Sequence, residues 1–179
     1  MIRFTFKVLL ACVFNIFLLS CISKFDVSGR WIRSITDESL GIKGVEYIEF
    51  SVDSSFIIEN RLRLCREDSL IKCNLDFKSG IQGSWVLRND TIRMTYDLLA
   101  YRFEADPGSF LLETINKNYR LSVDPSTLRK ELCDRLADYY EAVYAEASEN
   151  GVILSEVWME GDSLLNALNN GVKVTWAKR

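Results

Sequence analysis

The alternation of apolar and polar residues changes character along the chain. Residues 8–19 form an apolar run broken only by Asn15. From residue 26 onward, apolar and polar side chains alternate with period two in short segments, which is typical of antiparallel strands. Between residues 125 and 149, apolar residues instead recur every three or four positions, as in an amphipathic helix. The pattern therefore predicts a short leader and then a mainly β domain that contains one helix.

Turn residues divide the β region into short segments, of which we expect eight to ten to be strands. The segments are residues 26–35, 44–50, 54–66, 70–77, 83–88, 91–96, 98–103, 110–115, 119–123, 152–159, 163–168 and 172–177. Asn89 and Asp90 tolerate positive φ and predict the clearest hairpin. A flat sheet of this size would expose its edges, and closure removes them. We therefore predict a closed antiparallel up-and-down barrel with one long helix before its last strands.

The predicted helix covers residues 125–149 and has a start and a stop signal. Asp124 is suited to cap its N-terminus, and Pro125 suits its first position. Asn150 and Gly151 end it. At 1.5 Å per residue the helix would be roughly 37 Å long, enough to lie along one side of a small barrel. Its apolar stripe is interpreted as core packing in preference to a partner or membrane face.

The leader has the layout of a signal peptide over residues 1–20. Arg3 and Lys7 precede the apolar run, and the small Ser20 stands at the expected cleavage position. The run is too short to span a bilayer, which takes about 20 apolar residues. The end of the leader, Leu18 to Cys21, resembles the lipobox of bacterial lipoproteins. That resemblance implies a lipid-modified Cys21, whereas the alternative is cleavage to a soluble secreted form.

A lipidated Cys21 would determine where the protein works. Two or three acyl chains on one cysteine make membrane attachment effectively permanent. Residues 21–25 would then be a tether, and residues 26–179 a single domain held at the membrane. We expect an outer-membrane lipoprotein of the cell envelope, monomeric, on either the periplasmic or the surface side.

The composition excludes several functions. Residues 1–20 carry two of the 22 Lys and Arg residues and none of the 25 Asp and Glu, so the remainder has a net charge of −5. That charge argues against a general nucleic-acid binder. There is no histidine, which rules out Ser-His-Asp and Cys-His catalysis and every histidine-containing zinc site. We predict a protein that is not an enzyme and that uses neither a cofactor nor a metal.

Three cysteines follow Cys21, and two of them are at hairpin distance. Cys65 and Cys73 flank a turn-like stretch, and an exported protein could oxidise them. Period-two alternation, however, puts Cys65 on the polar face and Cys73 on the apolar face. Residues opposite each other in a hairpin share a face, so a disulfide would need a bulge. We keep the pair as a candidate, with free thiols as the preferred alternative.

Three short motifs resemble those of a known group of proteins. These are Gly29-Arg30-Trp31 and the "Trp, turn, Asp, apolar strand" hairpins at residues 85–92 and 158–164. Together with the hairpin meander and late helix, they are similar to lipocalin-like lipoproteins of the Bacteroides group. The resemblance implies that Trp31 plugs one end of the barrel and that a late cation, Lys178 or Arg179, stacks on it.

Two functions follow from this interpretation. The first is binding of a small apolar or amphipathic ligand inside the barrel. The candidate contacts are the inward positions Phe56, Ile58, Leu62, Ile92, Met94 and Tyr96. The second is a solid barrel that binds an envelope protein, as an inhibitor, immunity factor or assembly accessory. Its candidate face is the basic set Arg61, Arg63 and Arg93, for which a plain solvated surface is the alternative.

Overall fold

The computed structural model describes residues 26–67, 70–115 and 124–179. These contain nine strands, one short 3-10 helix and one long helix. The elements are β1 (Gly29–Asp37), β2 (Ile42–Phe50), β3 (Ser55–Glu67), β4 (Ile71–Arg88), β5 (Thr91–Ala105), the 3-10 helix (Pro107–Ser109), β6 (Leu111–Thr114), α1 (Pro125–Asn150), β7 (Val152–Glu160), β8 (Leu164–Asn169) and β9 (Val172–Lys178). The predicted leader, Ser20, Cys21, the tether and the predicted strand at 119–123 lie outside the described residues.

The strands form a closed antiparallel barrel. The order is β3-β2-β1-β9-β8-β7-β5-β4, and the pairing of β3 with β4 closes the circle. The short β6 is an extra strand that pairs with the first residues of β4. This confirms the predicted fold class, including the single helix before the last strands.

The barrel wall is uneven in height. β3, β4 and β5 have 13, 18 and 15 residues, whereas β8 and β9 have six and seven. As a result β5 pairs with β7 only over Ile92 to Met94. Helix α1 packs along β5, where Tyr101 Oη donates to Ala137 O at 3.0 Å and Ser148 Oγ donates to Tyr96 O at 3.2 Å. The helix thus covers the part of β5 that extends beyond its short pairing with β7.

The ends of α1 follow the predicted signals. The Asp124 carboxylate accepts from the backbone N–H groups of Ser126 (3.0 Å) and Thr127 (3.2 Å), which satisfies two of the free donors of the first turn. Gly151 ends the helix with φ of 67°, a conformation that suits glycine. Helix α1 buries Leu136 and Tyr144, and Leu132 and Tyr140 pack beside them. Part of the predicted apolar stripe is therefore core packing, whereas Tyr139 and Val143 are exposed.

Two pairs of predicted strands are each one continuous strand. The segments at 70–77 and 83–88 merge into β4, and those at 91–96 and 98–103 merge into β5. Glycine within β4 permits close packing against the neighbouring strand. A Cβ at Gly83 would lie 2.0 Å from Thr95 O, so only glycine fits there without displacing the backbone. A register shift between Gly80 and Gln82 bends the strand at the same place.

The inward side chains form two packed clusters. One contains Trp31, Phe50, Phe56 and Trp176 and fills the end of the barrel where the described chain begins. The other lies between the long strands and α1, and it includes Leu75, Phe77 and Leu136. Over the described ranges, no helix combines the length and the apolar content needed to cross a membrane.

Candidate functional site

The six predicted ligand contacts all belong to the packed interior. Phe56, Ile58, Leu62, Ile92 and Met94 are buried, and Tyr96 packs against them. The Phe56 and Tyr96 rings meet edge to face at 5.2 Å between centroids. Tyr144 of α1 reaches the same group, 6.0 Å from the Tyr96 ring centroid. The alternation therefore identified inward positions correctly; five of the side chains belong to one packed cluster, and Leu62 belongs to the other.

A polar cluster crosses the interior between β1, β2 and β9. Arg33 and Glu46 are register partners whose side chains form an ion pair through Arg33 Nε and Glu46 Oε1. The indole N–H of Trp176 donates to the same oxygen at 3.0 Å. The Arg33 guanidinium also lies 5.1 Å from the centroid of the Trp176 ring. A buried carboxylate with two donors is well compensated, so this cluster holds β1, β2 and β9 together.

The amide of Asn60 lies next to this cluster, opposite Glu46 in the register. Its Nδ2 donates to Tyr144 Oη at 2.8 Å and to Ser79 Oγ at 3.3 Å. Its Oδ1 is buried and has no hydrogen-bond partner. An unpaired buried carbonyl normally carries a desolvation cost. This oxygen is thus able to accept a hydrogen bond from a bound water or ligand.

Burial raises the pKa values of the interior tyrosines. It raises the pKa of Tyr101 to about 12, with the neighbouring Tyr144 as the next cause. Burial likewise raises the pKa of Tyr96, Tyr140 and Tyr144, because a phenolate is poorly solvated there. These phenols stay neutral at physiological pH and act as hydrogen-bonding groups.

The barrel end near the start of the described chain is closed by Trp31. Its ring is fully buried, and its indole N–H donates to Val27 O at 2.9 Å. Lys178 Nζ lies 5.4 Å from the ring centroid, the stacking that the lipocalin-like resemblance implies. Gly29 has φ of 124°, and a Cβ there would lie 3.3 Å from Lys178 Cε. The Gly-x-Trp pattern thus leaves room for the lysine to cover the ring.

The outer face of β2, β3 and β4 carries a groove of about 630 Å³. Four cationic side chains line it: Lys43, Arg61, Arg63 and Lys78. Arg63 binds Asp76 across the strands, with Nη2 2.8 Å from Oδ2. This hydrogen bond lowers the pKa of Asp76, because it favours the carboxylate. Asp76, Glu104 and Asp106 also line the groove, so its lining combines four cationic with three acidic side chains.

The structure brings together two of the three arginines of the predicted partner face. Arg61 and Arg63 both line the groove. Arg93 lies on the outside of β5, in register with Val86 on β4 and Ile153 on β7, and is not among the groove residues. The predicted face is therefore centred on β3, without Arg93.

A second basic group adjoins the groove and centres on Tyr47. Three guanidinium carbons approach its ring centroid: Arg30 at 4.7 Å, Arg61 at 5.3 Å and Arg179 at 5.4 Å. Glu59 bridges two of them, with Oε1 2.7 Å from Arg61 Nε and Oε2 3.7 Å from Arg30 Nη2. We call these five residues the Tyr47 cluster.

Neither the Tyr47 cluster nor the interior ion pair was predicted from the sequence. A signal for the ion pair was present: Glu46 shares the phase of Ile42, Ile48 and Phe50, and Arg33 shares that of Trp31. Opposite charges at inward phases of two adjacent strands indicate a buried pair. The Tyr47 cluster had no comparable signal, because Arg179 reaches it only through the closure of β9 onto β1.

The three cysteines of the domain are free thiols. Cys65 pairs with Asn74 and Cys73 with Arg66, so the two cysteines are diagonal neighbours on opposite faces. Burial raises the pKa of the Cys73 thiol, since the thiolate would lose its hydration. The candidate disulfide between Cys65 and Cys73 is therefore not formed in the structure, for the alternation reason given above.

No family model matches the chain, and no curated protein matches it. Over the residues that the structure describes, no group of three or more Cys, Asp or Glu side chains is arranged to hold a metal ion.

Proposed function

We propose that this is a non-enzymatic, lipid-anchored protein of the cell envelope that binds a partner protein on the outside of a solid barrel. It would act as an inhibitor, an immunity factor or an assembly accessory. The binding surface is the groove on β2, β3 and β4. The lack of histidine supports a role without general acid–base or nucleophilic catalysis of the common kinds.

The observation that carries the proposal is the packing of the interior. Phe56, Ile92 and Met94 are each at most 2% exposed, and α1 adds Tyr140 and Tyr144 to the same interior. Ligand pockets usually have a volume of roughly 300–1,000 Å³. A groove of that size, about 630 Å³, lies instead on the outer face.

The lipid anchor is supported by the sequence alone. The short apolar run, Ser20 and Cys21 match the pattern of a lipoprotein signal. Metabolic labelling with a palmitate analogue tests it. We expect label on the wild-type protein and none on a Cys21→Ala variant. An unlabelled wild-type protein would remove the anchor from the proposal.

The proposed surface can be tested in the cells that make the protein. A photo-crosslinking amino acid at Lys78, inside the groove, should give one discrete cross-linked partner. The same amino acid at Arg135, on the exposed side of α1, is the matched control and should give none. Adding Arg61→Glu and Arg63→Glu should abolish the cross-link at position 78. A cross-link that survives both substitutions, or appears equally at 135, contradicts the proposed surface.

Ligand binding inside the barrel is the second candidate, and one observation favours it. Asn60 Oδ1 is buried without a partner, and a bound molecule with a donor group would satisfy it. Native mass spectrometry of the envelope-purified protein tests this candidate. A constant added mass that disappears in an Asn60→Leu variant would establish the interior ligand, and the bare acylated chain would exclude it.

A further inference from the structure

The Tyr47 cluster collects more positive charge than its carboxylates neutralise. Three guanidinium groups surround one ring that is only 9% exposed. Glu59 is the carboxylate that pairs with two of them. Glu49 faces the same side, in register with Arg30, yet it forms no ion pair with any described residue. Arg179 pairs with no carboxylate side chain in the described part of the chain.

The cluster is held in position by the strands and by the ring. Arg30, Tyr47 and Arg61 project from β1, β2 and β3, three adjacent strands with continuous pairing. The backbone N–H of Arg179 donates to Arg30 O at 2.9 Å, which fixes the fourth member beside the others. Stacking on an aromatic face restricts a guanidinium while leaving its N–H donors free. The three guanidinium groups are thus held around one ring, where Glu59 already pairs with Arg61 Nε and Arg30 Nη2.

We propose that the Tyr47 cluster is a binding site for a phosphate-type oxyanion. Guanidinium groups bind phosphate through paired, charge-assisted hydrogen bonds, which makes arginine the preferred residue for such groups. The Arg61–Glu59 hydrogen bond raises the pKa of Arg61, and guanidinium groups in general stay protonated in proteins. The site adjoins the groove through Arg61, and this proposal deepens the proposed function, on which it rests, by naming the chemistry recognised at the edge of that surface.

Two sources could supply the phosphate group. A lipidated Cys21 would stand five residues before Asp26, so the bilayer surface would lie within roughly 18 Å of the barrel end that carries Arg30 and Arg179. A lipid headgroup is then in reach. A phosphate ester on a soluble partner is the other source. Asp26 and Asp53 at the same end oppose diffuse attraction to an anionic surface, so either source must use the three arginines specifically.

The test is an NMR titration of the mature full-length protein, observing the arginine Nε–Hε signals. The probes are phenyl phosphate and dihexanoyl phosphatidic acid, the latter below its micelle concentration. We expect the signals of Arg30, Arg61 and Arg179 to shift together and saturably, with a Kd of about 1 mM for phenyl phosphate. Tighter binding of the lipid probe, by about tenfold, assigns the headgroup as the source. Equal affinity assigns a soluble ester.

Two variants complete the experiment. Arg179 directly follows β9. Arg179→Gln should weaken phosphate binding by about tenfold while leaving the melting temperature unchanged. Arg135→Gln removes an exposed arginine that also has a glutamate partner, Glu131, and should leave affinity unchanged. Unshifted arginine signals at millimolar phosphate, or equal shifts at Arg135, overturn the proposal. Such a failure with the position-78 cross-link intact removes only the phosphate site.

Discussion

An arginine, a glutamate and an aromatic side chain meet on each side of the barrel wall, with different consequences. Inside, Arg33 pairs with Glu46, and Trp176 contacts both. Outside, Arg61 pairs with Glu59, and both lie at Tyr47. The Glu46 side chain is 11% exposed and that of Glu59 is 36% exposed.

The difference between the two groups is one of stoichiometry and solvent. The interior group has one cation for one carboxylate, and its members form hydrogen bonds with one another. The exterior group has three cations for one bridging carboxylate, and water reaches its donors. The interior arrangement stabilises the fold, whereas the exterior arrangement is available to an anion.

Truncation of the packed interior should have the largest effect. Phe56→Ala removes a fully buried ring that contacts Tyr96, and it should lower the free energy of unfolding by about 4 kcal/mol. Leu99 is 98% exposed, so Leu99→Ala should change it by less than about 0.5 kcal/mol. Urea unfolding followed by tryptophan fluorescence measures both. A Phe56→Ala cost no larger than that of Leu99→Ala would indicate an unfilled interior.

Removal of the carboxylate should lower the free energy of unfolding more in the interior arginine group than in the exterior one. Glu46→Ala leaves Arg33 and the Trp176 N–H without their acceptor, and we expect a loss of about 2–3 kcal/mol. Glu59→Ala acts on an exposed pair, and we expect about 0–1 kcal/mol. The unfolding free energies of the two variants provide the comparison. Equal losses would mean that the interior pair is no better shielded than the exterior one.

Removal of the Tyr144 hydroxyl should have a smaller effect on the free energy of unfolding. Tyr144→Phe keeps the ring in the core but removes the acceptor of the 2.8 Å hydrogen bond from Asn60 Nδ2. We expect a loss of about 1–2 kcal/mol, the cost of a weakened buried hydrogen bond. Tyr139→Phe, on the exposed side of α1, is the control and should be neutral. Thermal unfolding measures the stability of both variants, and equal stability would contradict the expected role of the Tyr144 hydroxyl.

The interior tyrosines should make stability fall at high pH. The pKa of Tyr101 is raised to about 12 in the folded protein, against roughly 10 in an unfolded chain. Between these values the unfolded chain loses the phenolic proton first, so the free energy of unfolding falls as pH rises from about 10 to about 12. Below about 10 it should not change through these groups. In Tyr101→Phe the decline should be shallower, as measured by urea unfolding at each pH.

The sequence was sufficient for the fold class because its signals are local. Alternation located the strand region, Asn89 and Asp90 marked the β4–β5 hairpin, and Asp124 and Gly151 marked the ends of α1. These features depend on neighbours in the chain. The same alternation placed Phe56 and Met94 on the inward side.

What could not be predicted depends on contacts between distant residues. Residues 70–77 and 83–88 were predicted as two strands, whereas Gly80 and Gly83 lie within the continuous β4 and pack closely against β3 and β5. The position of α1 beside β5 goes with the three-residue pairing of β5 with β7, which no local pattern reveals. The Tyr47 cluster needs the closure of β9 onto β1, so Arg179 could be assigned to it only from the structure.

The filled interior is the central claim, and a crystal structure of the envelope-purified mature protein tests it most directly. We predict that Phe56, Ile92 and Met94 contact one another and Tyr96, with density for no more than isolated water beside Asn60 Oδ1. Continuous elongated density among those side chains would show a bound ligand and would contradict the account.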